Sequence, residues 1–133
     1  MPTLPTTHEA LADLVRRFTD AFNRDDLDAV MAYFTDAAVY DQFNGVRAVG
    51  KAAIRDAFGP QFRGDFGTIR FLTDDLFVDA ATGKAMISWR CTLTRDGTTR
   101  GWRGLDLLHF DGHFIKVKST YAKADTPKLE LVA

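Results

Sequence analysis

Leu11, Leu14, Val15, Phe18 and Phe22 recur at steps of three and four residues, with Arg16, Arg17 and Asp20 between them. That is the stripe of an amphipathic helix, and Thr7 stands where its N-cap would be. Residues 23–26 break the pattern. Leu27, Val30, Met31 and Phe34 then form a second stripe, capped by Asp25 or Asp26 and closed by Thr35 and Asp36. Residues 38–43 alternate Val39, Asp41 and Phe43 against Tyr40 and Gln42, which predicts a short strand before the Asn44-Gly45 turn. Residues 50–62 place Ala53, Ile54, Ala57 and Phe58 on one side of a third helix, with Gly59-Pro60 fraying its end.

Beyond residue 67 the period changes to two. Strands are predicted at 68–78, 84–95, 99–110 and 113–122. Two of the turns between them carry Asp96-Gly97 and Asp111-Gly112, the pairs that most strongly favour tight hairpins. Three helices followed by a four-strand antiparallel meander predict an α+β fold, one curved sheet wrapped over helices. Residues 1–7 read as a disordered lead-in, 8–122 as a single domain and 123–133 as a C-terminal tail.

Composition narrows the function classes. In 133 residues there are 17 basic and 18 acidic side chains, so no charge excess draws the chain to nucleic acid or to a membrane surface. No apolar run approaches the ~20 residues of a membrane span, and the first residues lack the pattern of a secretory signal. Cys91, the lone cysteine, allows no intrachain disulfide and fits a reducing compartment, so a cytoplasmic location is expected. Eleven phenylalanines, three tyrosines and two tryptophans are more aromatic surface than so short a chain needs for a solid core. Part of it is expected to line a cavity for a small hydrophobic molecule.

The candidate chemistry centres on Asp106. The segment 102–110 sets Trp102, Gly104, Asp106, Leu108 and Phe110 on one face, and a carboxylate on an apolar face is costly to keep ionised. Its pKa is expected to rise, leaving it neutral; the alternatives are a structural carboxylate satisfied by its neighbours, or a surface charge if the faces are reversed. Asp41 repeats the pattern between Val39 and Phe43, and the competing reading there is a turn former. Two such acids in one cavity could divide the work, one accepting a proton and the other donating a hydrogen bond. His8, His109 and His113 lack any metal-ligand spacing, so no metal is expected. Cys91 reads as inert core. Lys116, Lys118 and Lys123 read as a solvated sheet face.

The segments 27–34 (LDAVMAYF), 38–41 (AVYD), 50–55 (GKAAIR) and 103–112 (RGLDLLHFDG), in this order, resemble the nuclear-transport-factor-2-like superfamily, which includes ketosteroid isomerases and SnoaL-like cyclases. The resemblance covers residues 8–122. It implies a cone-shaped α+β barrel, with the three helices in the concave face of the sheet. It also implies Asp41 as general base, Asp106 as the oxyanion-side acid, no cofactor, and a homodimer formed through the outer sheet face with Met86, Leu105 and Leu107. The expected pocket is lined by Phe18, Phe22, Tyr40, Phe43, Phe58, Trp89, Trp102, Leu108 and Tyr121. Phe18 falls where the isomerases carry their tyrosine donor, which weakens steroid isomerisation as the activity. A cofactor-free isomerase or cyclase working next to a carbonyl is the leading expectation. A non-catalytic ligand-binding or dimeric accessory domain is the alternative.

Overall fold

The computed structural model describes residues 7–123 and Leu131. The expected lead-in and most of the expected tail lie outside these residues. Helix α1 runs over His8–Asn23, with Thr7 accepting from the Ala10 amide at its N-terminus. Helix α2 is only Leu27–Met31, capped by Asp26. Strand β1 follows at once, Phe34–Asp41, then β2 Arg47–Val49 and helix α3 Lys51–Phe62. The rest is a meander of β3 Thr68–Asp79, β4 Lys84–Arg95, β5 Thr98–Asp111 and β6 Phe114–Ala122.

The six strands form one sheet in the order β2-β1-β6-β5-β4-β3. All pairings are antiparallel except β1 with β6, so the sheet is mixed, not purely antiparallel as the sequence suggested. Phe34 belongs to β1 and not to a second helix stripe. The three-residue β2 was not anticipated, because three residues are too few for alternation to register.

The helices pack on one face of the curved sheet. Leu11, Val15, Phe18, Val30, Ile54 and Phe58 meet Ile87, Leu108, Phe110 and Ile115 in a continuous core. Phe18 is part of this core, edge-on to Phe22, Tyr33 and Phe34, instead of lining a pocket. Leu108 is completely buried there as well. Among the described residues no helix is long and apolar enough to cross a membrane.

Asn23, at the end of α1, fastens the helices to the edge of the sheet. Its side chain accepts from the Phe71 amide at 2.8 Å and donates to the Phe71 carbonyl at 2.9 Å, much as a neighbouring strand would. Asn23→Ala should lower unfolding free energy by about 1–3 kcal/mol, read as a reduced urea midpoint with unchanged slope.

Candidate functional site

Alternation along β5 turns Asp106 inward, between Gly104 and Leu108, and the residue is 6% exposed. Gly104 is required beside it. A Cβ there would come within 2.4 Å of the Tyr121 carbonyl and 2.6 Å of the Trp89 ring. Trp89, one strand over on β4, donates its indole N–H to Asp106 Oδ2 at 3.1 Å. Thr120 on β6 stands directly opposite Asp106 and gives its hydroxyl proton to Oδ1.

The remaining partner is Lys118. Its Nζ lies 3.0 Å from Asp106 Oδ1 and 2.8 Å from Thr120 Oγ1, and the residue is 5% exposed. Lys118 was expected on a solvated face, because strict alternation from the exposed Phe114 and Lys116 would put it there. The register slips instead. Phe110 pairs with Ile115 while His109 pairs with Val117, leaving Lys116 as the extra residue of a β-bulge. Bulges re-aim side chains in this way. After the bulge the even-numbered Lys118 and Thr120 face the core. A bulge leaves little trace in composition or period; the one available signal was the buried carboxylate on β5, which called for a cation nearby.

Burial pulls the Lys118 ammonium down, but the Asp106 carboxylate beside it, with Tyr40, holds it above its ordinary value of 10.5. The parallel pairing of β1 with β6 sets Tyr40 next to Lys118, and Nζ lies 4.4 Å from the centre of the Tyr40 ring. Phe22 and Phe58 stand 5.9 and 5.8 Å from the same nitrogen. Asp106 thus faces three donors, the Trp89 indole, the Thr120 hydroxyl and the Lys118 ammonium.

A cavity of about 390 Å³ opens over this network. Phe22, Tyr40, Phe43, Phe58, Trp89 and Trp102 line it, as expected, and Phe71 and Lys118 join them. Besides Phe18 and Leu108, which belong to the core, two further expected site residues lie elsewhere. Tyr121 is 57% exposed on the convex side, and Asp41 does not reach the cavity. Asp41 alternates with the inward Tyr40, so it faces outward, 3.7 Å from Arg47 of β2. The two acids do not share one enclosed space. Cys91 lines the wall, its thiol pushed up to about 12 by burial and by the nearby Asp106 charge, so it stays protonated. No group of three histidine, cysteine or acidic side chains among the described residues could hold a metal.

The SnoaL-like domain family matches residues 15–117, which contain both Asp41 and Asp106. The chain belongs to this family. Solved structures agree on the fold of the SnoaL-like chain. An NTF2-like protein of Mesorhizobium loti superposes with a TM-score of 0.74 at 22% identity, over 93% of this chain and 100% of that one. A candidate polyketide cyclase of Xanthomonas campestris gives 0.71 at 19% identity, over 86% and 90%. A candidate SnoaL-like polyketide cyclase of Jannaschia gives 0.75 at 12% identity, over 89% and 88%. No curated protein matches the sequence significantly.

The SnoaL-like chain buries one cation against one anion, and removing either leaves the other unpaired. Asp106→Leu or Lys118→Met alone should cost about 3–5 kcal/mol, while the double variant should recover most of the loss. Chemical denaturation of the three variants checks this. Because the Lys118 pKa is raised on folding, its contribution is fully present below 10.5 and is lost as pH climbs through the higher folded value. Wild type should therefore lose stability at strongly alkaline pH, and the double variant should lack that component.

Proposed function

We propose that this SnoaL-like chain binds a small, mostly apolar carbonyl compound in the aromatic cavity and catalyses a cofactor-free isomerisation or cyclisation next to the carbonyl. The observation that carries this reading is the buried Lys118 ammonium in the cavity wall, held charged by Asp106. The aromatic rings would take the apolar body. The carbonyl oxygen would sit beside Lys118, in the place that now faces the Tyr40 ring. As a C–H bond next to the carbonyl breaks, its electron pair moves onto that oxygen, and a preorganised cation in a dry site stabilises the charge.

The proton would leave through Thr120, whose hydroxyl is in the cavity lining and bonded to Asp106. Thr120 Oγ1 takes the substrate proton while passing its own to Asp106 Oδ1, and the return path protonates the product. Asp106, expected as the oxyanion-side acid, takes the part of the base in this reading, acting through a hydroxyl and beside a cation. Asp41 has none in this reading, because it faces Arg47. Candidate polyketide cyclases among the structural neighbours support this class of chemistry.

One observation favours a second reading, a binding domain without turnover: among the described residues no carboxylate lines the cavity wall directly. Deuterium exchange next to the carbonyl of a panel of cyclic ketones separates the two. The enzyme reading expects exchange above background, reduced ~10²–10³-fold in Lys118→Met and in Thr120→Val, with ligand binding retained in the latter. Saturable binding with no exchange in wild type leaves only the binding domain.

A homodimer through the convex sheet face also belongs to this proposal. Phe77, Met86 and Leu107 are cross-strand neighbours there, and Leu105 pairs with Tyr121 alongside, an apolar patch that a second copy would cover. Light scattering should give twice the chain mass, and Leu107→Arg should return it to the monomer. A cytoplasmic location fits the protonated, unpaired Cys91 thiol.

A further inference from the structure

The inner face of the β4–β5 hairpin does not end at the cavity. On β4 the inward series continues from Trp89 and Cys91 to Leu93 and Arg95; on β5 it continues from Asp106, Gly104 and Trp102 to Arg100 and Thr98. These residues form a shallower groove of about 550 Å³ that shares Phe66 and Trp102 with the cavity. The lining thus grades from apolar rings to two guanidiniums. Arg95 donates to the Asp65 carbonyl at 3.2 Å, which fixes its position. Arg100 has no ion-pair or hydrogen-bond partner among the described side chains. Among the described residues Asp96 is the one acid in the groove lining, so Asp96, Arg95 and Arg100 together give it a net single positive charge.

We infer that the ligand is elongated, with its apolar carbonyl-bearing head in the cavity and a carboxylate at its far end, bound in the groove by Arg100 and Arg95. This rests on the reading of the cavity as a ligand site and adds the substrate class. A monoanion matches the charge of the groove better than a dianionic phosphate does. Guanidiniums bind carboxylates through two parallel hydrogen bonds, a geometry an exposed lysine does not offer. Residues 100 and 106 lie six positions apart on β5, so the two ends of the site are separated by roughly 20 Å along the strand, less the reach of the arginine side chains. A head group filling the cavity plus a chain of eight to ten carbons, about 10–12 Å long, spans that distance. Phe66, half exposed at the junction, would cover the middle of the chain.

Both tryptophans of the protein line the cavity, so intrinsic fluorescence reports on the site alone. The probes are phenylacetate, phenylhexanoate and phenyldecanoate, each with its methyl ester, titrated at low salt. The expected result is that esters bind, and that a preference for acid over ester of about tenfold appears only with phenyldecanoate. Arg100→Gln, an exposed substitution that leaves the core untouched, should reduce this preference to under about twofold without changing ester affinity, as should high salt. An acid preference already full-sized in phenylacetate and insensitive to Arg100→Gln would put the carboxylate on Lys118 and overturn the inference. Esters and acids binding equally at every length would also overturn it, while leaving the cavity as a ligand site. Binding of neither class would remove both readings.

Discussion

A lysine and an aspartate shut away from water face each other at the centre of this fold, and the surrounding structure is arranged around keeping them paired. Transferring either charge alone into the core costs several kcal/mol, and the pair recovers this only when every remaining proton and lone pair is satisfied. Here that condition is met. Trp89 and Thr120 complete the coordination of Asp106, and Thr120 and the Tyr40 ring complete that of Lys118. Four strands contribute, β1, β4, β5 and β6, so the pair forms only when the middle of the sheet has assembled. The aromatic rings do more than occupy volume. They exclude water from the ammonium while presenting it with the negative faces of three π systems.

Much of this could be read in the chain. Period-three-to-four stripes located α1 and α3, and the two Asp-Gly pairs located two hairpins of the meander. Asp106 stood out because an acid on an otherwise apolar strand face has to be explained, and the structure puts it inside. Six aromatic residues expected in the cavity are found there. What sequence could not convey was the third dimension of the strand pairing. Asp41 and Tyr40 are adjacent in the chain, and only the sheet decides which of them looks inward; the parallel alignment with β6 selects Tyr40. Phe18 follows a helical stripe equally well whether it fills a core or lines a hollow, since both are apolar.

Lys118 was missed for a sharper reason. A pattern rule assumes an uninterrupted ladder, and one extra residue on β6 inverts the rule from that point on. A fold that serves many functions leaves such local irregularities to distinguish its members. Two SnoaL-like chains with the same strands and the same apolar stripe can differ in whether a cation faces the cavity floor, and alignment of their patterns alone would not show it.

The irregularity at Lys116 also has a bearing on how β6 finds its place. A regular ladder without the extra residue would spare the distortion, and a one-step slide of the strand would achieve it. That slide would set Val117 in the place of Lys118 and Ser119 across from Asp106, and would carry the ammonium to the convex side, leaving the buried carboxylate without its cation. A buried charge left without its partner is costly, so the charges favour the bulged alignment over the smoother one. In this protein, the instruction that sets the register and the instruction that equips the pocket are one and the same.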